Sequence, residues 1–239
     1  MLITQELTVK VNEEYILDDV HVEFGPGIHI LMGPNGAGKS SFAHALMGHY
    51  NYETTGAVEF FGKDILALET FERARAGLFV GFQSPSPVPG LSNFQFLKQA
   101  KQSRGEKPNI KEDLGAFRDQ AKLFGLPEDW DKRHLNVDSS GGEKKKNELI
   151  QMLTLNPKCA ILDEPDSGLD VDGIKKLRIE LNSFRNDDPE RILIIITHYQ
   201  QLIEELHVDS VSILKDQKIK QYEGVDKAYE IFEEGFDNV

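Results

Sequence analysis

The sequence predicts an α/β fold around a buried, largely parallel sheet, and three observations carry that prediction. Residues 28–32, 159–162 and 192–197 are short apolar runs bounded by turn or charge signals, the pattern of strands covered on both faces. A glycine-rich loop, Gly33-Pro34-Asn35-Gly36-Ala37-Gly38-Lys39-Ser40, separates the first run from a helical pattern. From residue 84 to about residue 136 the texture turns helical, as in a unit inserted into an α/β core.

The elements follow in order. Residues 2–11 alternate loosely and residues 19–24 alternate around Val20, Val22 and Phe24, so both read as strands. Gly25-Pro26-Gly27 is a turn, residues 40–50 a helix, and residues 58–61 and 78–83 two further short strands. The connector Ser84-Pro85-Ser86-Pro87-Val88-Pro89-Gly90 leads into helical patterning through Phe94, Phe96 and Leu97. After a polar break at 102–108 the pattern continues through Leu114, Phe117, Ala121, Leu123 and Phe124. Residues 173–185 form an amphipathic helix between two buried strands. Residues 211–214 and 218–222 pair as a hairpin around Asp216-Gln217, and residues 226–234 are a last, acidic helix. The chain is expected to be one domain over 1–239, with its core at about 1–85 and 151–239 and the helical unit at about 86–150.

Composition narrows the function. With 239 residues the chain can bury a sizeable core without disulfides or metals. Lys+Arg 27 against Asp+Glu 40 gives a net charge of -13, which disfavours direct nucleic-acid binding as the main task. Cys159 is the one cysteine, so a single chain cannot supply the about four thiolates an iron–sulfur cluster takes. The apolar run at 192–196 is far shorter than the ~20 residues of a membrane span. The first residues, MLITQELTVKVNEEY, lack a basic segment followed by an apolar one, so a cytoplasmic protein is expected.

The loop at 33–40 matches the phosphate-binding pattern G-x-x-x-x-G-K-[ST]. Its glycines let backbone N–H groups approach phosphate oxygens, Lys39 offers a charge to the β- and γ-phosphates, and Ser40 offers a hydroxyl to Mg²⁺. The helix that follows adds its positive end. Asp163 and Glu164 end the apolar strand 159–162; Asp163 is placed to hold Mg²⁺, and Glu164 to orient or deprotonate an attacking water.

Ser139-Ser140-Gly141-Gly142-Glu143 resembles the signature motif of ABC-type ATPases, LSGGQ in its usual form. Gln83 resembles the family's Q-loop glutamine, Ser167-Gly168-Leu169-Asp170 its D-loop, and His198 its switch histidine. The order of these elements along the chain matches the family. The resemblance implies a phosphate-loop NTPase fold of ABC type: a mixed sheet core, an antiparallel β subdomain and an inserted α-helical subdomain. It implies that ATP is held by residues 33–40 with Ser41, Gln83 and Asp170, and by Ser140, Gly141 and Gly142 of a second subunit. Mg²⁺ is implied at Ser40, Gln83 and Asp163, and catalysis at Glu164 and His198.

The strings FQSPSPVPG, SSGGEKKKNELIQM, LDEPDSGLDVDGIK and ITHYQ, with the tail GFDNV, resemble the SufC family, the ATPases of Suf iron–sulfur cluster assembly. Glu143 and Tyr199 stand where transporter ATPases more often carry glutamine and an acidic residue. This resemblance implies SufB- and SufD-type scaffold proteins as partners and a transient, ATP-closed homodimer that moves the scaffold. It implies no direct contact with nucleic acid and no membrane insertion. The ATPase subunit of a membrane transporter is the alternative, because the same engine serves different partners.

Some residues keep two readings. Tyr15 is either an adenine-stacking residue or a partly exposed tyrosine at a strand end. Lys144-Lys145-Lys146 is either a solvated helix face or a contact for an acidic partner or for Glu164. His44 and His49 miss the i, i+4 spacing of a helical metal pair and are expected at the surface or in packing. Cys159 is expected as a small core residue.

Overall fold

The structure, a computed structural model, describes residues 1–236, so the last three residues of the GFDNV tail lie outside the described residues. In chain order the elements begin with strands β1 (Leu2–Val11), β2 (Glu14–Phe24) and β3 (Gly27–Met32), followed by helix α1 (Lys39–Met47). Next come β4 (Glu53–Phe60), β5 (Lys63–Asp64), α2 (Thr70–Ala76), β6 (Leu78–Gly81) and β7 (Val88–Ser92). The inserted region holds α3 (Asn93–Ser103), α4 (Ile110–Leu123), β8 (His134–Leu135) and α5 (Gly141–Leu155). The chain closes with β9 (Cys159–Asp163), α6 (Val171–Asn186), β10 (Ile192–Ile196), α7 (Gln200–Ile203), β11 (Val208–Lys215), β12 (Lys218–Glu223) and α8 (Asp226–Glu234).

The central sheet runs β12-β11-β3-β10-β9-β6. Its inner pairs are parallel and β12 is an antiparallel edge. Every residue of β3, β9 and β10 is buried, as the continuous apolar runs require. The side-chain period of two sends alternate residues to opposite faces. Ala160, Leu162, Leu193 and Ile195 join a cluster with the helical elements. Cys159, Ile161, Ile192 and Ile194 join one with α1 and a second, antiparallel sheet, β2-β1-β4-β5.

β2 starts earlier than its alternation indicates. Asn12 and Glu13, with φ of 48° and 67°, form the two-residue reversal that pairs Val11 with Glu14. Register shifts along β1 and positive φ at Glu6 and Asp19 reset the alternation, so only the stretch after Asp19 reads as a strand. β4 is likewise longer than expected, because its first half is mostly exposed and polar.

Two buried polar devices fix the helices around the site. The Arg73 guanidinium donates to the carbonyls of Ala45 and Leu46 at 3.0 and 2.8 Å, satisfying the open C-terminus of α1. In the inserted region Asn147 of α5 donates to Asn93 and Asn136 and accepts from the Trp130 indole at 2.8 Å. α5 packs on α3, α4 and β6, and it continues past residue 150, where the sequence reading ended the helical unit.

Candidate functional site

The phosphate loop leaves the end of β3 between two close approaches. At Gly33, φ +156°, a Cβ would lie 2.2 Å from the Leu214 carbonyl oxygen; at Gly38, φ +105°, one would lie 2.8 Å from Ile16 Cγ2. Glycine is required at both. Gly38 caps α1 without a side chain, so the first-turn amides are left for an anion. Lys39 Nζ donates to the carbonyls of Gly33 and Pro34 at 2.8 and 3.0 Å and folds the loop around the ammonium. Burial lowers the Lys39 pKa, opposed by Asp163 and Glu164.

β9 and β10 end together, Asp163 beside Ile196, and this register brings the carboxylates to the loop. Burial raises the Asp163 pKa, and a hydrogen bond with Ser40 opposes that shift most. Asp163 Oδ2 is buried without a hydrogen-bond partner among the described residues. An orphaned carboxylate oxygen beside a serine hydroxyl fits a hard cation such as Mg²⁺, which takes oxygen ligands. Gln83 lines the same groove, of about 760 Å³, as Ser40 and Asp163.

Glu164 has φ +48°, a conformation that costs a non-glycine residue ~1 kcal/mol or more, and its N–H donates to Ile196 O at 2.9 Å. Its carboxylate takes contacts from two separate loops. Gln83 Nε2 donates to Oε2 at 2.9 Å, and His198 Nδ1 lies 3.8 Å from Oε1. Thr197 Oγ1 donates to Asp166 at 2.9 Å, joining the segments that carry His198 and Glu164.

Ser140 caps α5 in a reciprocal box: Glu143 N donates to its Oγ at 3.3 Å, while Glu143 accepts from Ser140 N and Oγ, each at 2.8 Å. These bonds hold the Glu143 carboxyl below its ordinary pKa. Gly142 lies against the D-loop, and a Cβ there would meet Gly168 O at 2.6 Å. Asp170 caps α6 through Gly173 N at 2.8 Å. Among the described residues no hydrogen bond or ion pair joins Ser140, Gly141 or Gly142 to Lys39 or Ser40. One chain thus brings Ser40 of the phosphate loop, Asp163, Glu164, Gln83 and His198 together, while its signature serine and glycines are not bonded to Lys39 or Ser40.

Tyr15 is about half exposed, with Lys10 Nζ 4.3 Å from its ring centroid, at the wall of a shallow cavity. His44 stacks on His49 with centroids 5.5 Å apart and packs against Tyr52 and Phe82, a packing role. Burial pushes the Cys159 thiol up to about 12, which leaves it inert.

The reading of Lys144-Lys145-Lys146 as a solvated face is corrected. Lys145 is only 3% exposed, because α5 turns it toward β6 and β9. Its Nζ donates to the carbonyls of Phe82 and Asp163, both at 2.6 Å. Sequence reasoning also missed Glu148, Asp166 and Thr197. The available signal was an opposite-charge i, i+3 pair, Lys145 and Glu148, among apolar positions of one helix.

Comparison with known proteins matches residues 17–167 to a family model described as ABC transporter. The chain is 42% identical over 226 residues to a probable ATP-dependent transporter SufC of Escherichia coli, covering 92% of this chain and 90% of that protein. It is 36% identical to vegetative protein 296 of Bacillus subtilis, covering 99% and 92%. Among solved structures it superposes on the ATP-binding subunit of an ABC transporter (TM-score 0.79, 22% identity, 99% and 95% covered). It also superposes on the dimeric post-hydrolysis state of the ATP-binding cassette MJ0796 bound to ADP and Pi (TM-score 0.78, 20% identity, 93% and 98% covered). Among the described residues no helix is long and apolar enough to cross a membrane.

Proposed function

The chain belongs to the ABC-type ATPases, in the SufC group, and on that premise we propose that it hydrolyses ATP with Mg²⁺ as the motor subunit of an iron–sulfur cluster assembly complex. The observation that carries the hydrolytic reading is the meeting of Gln83 and His198 on the Glu164 carboxylate, next to Asp163. Glu164 orients or deprotonates the attacking water, and His198 stands beside it toward the γ-phosphate. Residues 33–40 with Ser41 bind the phosphates, and Ser40, Asp163 and Gln83 hold Mg²⁺, which supplies charge neutralisation at the phosphates.

The lack, among the described residues, of any hydrogen bond or ion pair between the signature and Lys39 or Ser40 supports a site completed by a second copy, in which Ser140, Gly141 and Gly142 reach the nucleotide across the dimer near Asp170. ATP closes the dimer, and SufB/SufD-type scaffold proteins in the cytoplasm receive the motion. Glu143 and Tyr199 favour this partner class over a permease. The test is affinity purification of the tagged chain from native extract, with soluble and detergent-solubilised membrane fractions analysed separately. A soluble, cysteine-bearing scaffold in stable complex is the expected result; an integral membrane partner overturns the reading.

A further inference from the structure

Behind the candidate site, one turn into α5, an opposite-charge pair grips the main chain of a single residue, on both sides of its Cα. Glu148 Oε1 accepts from Phe82 N at 2.6 Å, and Lys145 Nζ donates to Phe82 O at 2.6 Å. The same ammonium donates to Asp163 O, and the two side chains lie 3.7 Å apart. Both are buried, at 3% and 7% exposure. The neighbouring backbone is fitted to them: a Cβ on Gly81 would meet Glu148 Oε2 at 3.1 Å and Leu162 at 3.0 Å. The Phe82 side chain is exposed, so it is the main chain that is held.

Stability is a weak reason for such a pair, since apolar residues of similar volume serve as well or better in a core. Its position supplies a stronger one. Phe82 immediately precedes Gln83, whose amide meets Glu164, and α5 begins at the signature serine. We propose that Glu148, with Lys145, is a positioning residue for hydrolysis: the pair holds the Phe82 main chain so that Gln83 reaches Glu164, and thereby ties that contact to the placement of the signature helix. The inference rests on the hydrolytic reading above.

The test measures ATP turnover and the Kd of a fluorescent ATP analogue for the full chain, E148A, E148Q, Q83A and Q83A/E148A, with E164Q as control. E148A should lower kcat about tenfold or more, with Kd within about twofold, as expected for a contact that acts on the chemical step rather than on binding. E148Q retains an oxygen that can accept the Phe82 N–H and should recover kcat to within about threefold. If the effect passes through Gln83, adding E148A to Q83A should change kcat by less than about twofold. An equal loss in both backgrounds, a loss that falls on Kd, or an E148Q no better than E148A overturns the proposal. Should E148A fail to fold, K145M takes its place in the same cycle. A dead E164Q with an unaffected E148A sinks the clamp alone; an E164Q that hydrolyses at the wild-type rate removes Glu164 from the chemical step, and the clamp that acts through it falls too.

Discussion

Gln83 and Glu164 are joined by one hydrogen bond, Nε2 to Oε2 at 2.9 Å, across 81 positions of sequence. The bond holds the carboxylate beside Gln83 while the Glu164 backbone stays pinned to Ile196. Glu164→Gln removes the basic group and keeps the shape. A positioned general base contributes about 10²–10⁴-fold, so turnover should fall by that order while ATP binding persists. The same variant should accumulate an ATP-dependent dimer in sedimentation. Wild-type turnover would show that another group is the base.

The composite site predicts complementation. K39A spoils the phosphate loop and S140R blocks the α5 N-terminus, so each homodimer has two defective sites. A mixed dimer has one site in which both halves are intact. Mixing the two inactive proteins should therefore restore measurable hydrolysis. Activity that stays at the level of the separate variants would mean that one subunit builds its whole site.

Gly142 cannot accept a side chain without moving the D-loop, because a Cβ would sit 2.6 Å from Gly168 O. Gly142→Ala should abolish ATP-driven dimerisation and reduce hydrolysis more than tenfold. It should leave monomeric ATP affinity within about twofold, since the signature does not touch its own phosphate loop. Calorimetry and sedimentation on the same sample separate the two effects; equal loss of both would contradict this.

His29 gives a pH dependence with a definite sign. It is buried in β3, with Nδ1 against Ser210 Oγ and Nε2 against the Gly25 carbonyl, both at 2.8 Å. Burial lowers its pKa below the ordinary 6.5. The folded state therefore resists a proton that the unfolded chain accepts, and this residue's stabilising contribution is complete above 6.5 and lost as pH falls through the folded value. The wild-type melting temperature should drop from pH 7.5 to pH 5.5, and H29Q, whose amide does not titrate there, should drop less. Parallel curves for the two proteins would exclude His29 as the source.

The parts of this molecule that depend on pattern were legible in the sequence. β3, β9 and β10 announce themselves because both faces are buried, and the hairpin of β11 and β12 is marked by Asp216-Gln217, both at positive φ. The phosphate loop and the Asp163-Glu164 pair are local motifs with a local mechanism. β2 and β4 were shortened because bulges and an exposed polar edge erase the period of two. Lys145 was misread because a charge run carries no record of which member faces inward; that is decided by the seating of α5 on β6, which brings Lys145 to the Asp163 carbonyl at the end of β9. The Asp166–Thr197 bond was invisible for a related reason, as its partners lie just past the ends of the neighbouring strands β9 and β10 and 31 positions apart in sequence.

The Lys39 ammonium has three donors, and two are already committed to the carbonyls of Gly33 and Pro34. The loop is thus shaped before any nucleotide arrives, and little ordering entropy is left for binding to remove. A preformed loop greets the phosphates common to ATP and ADP in the same way, and a contact that is equal for two ligands cannot tell them apart. On the proposed composite site, discrimination between fuel and spent nucleotide falls to the groups expected to meet only the last phosphate, His198 on one chain and Ser140 on the other. In that dimer the direction of the work cycle would be set at the seam between two copies, and a solitary subunit would be a nucleotide reservoir without an arrow.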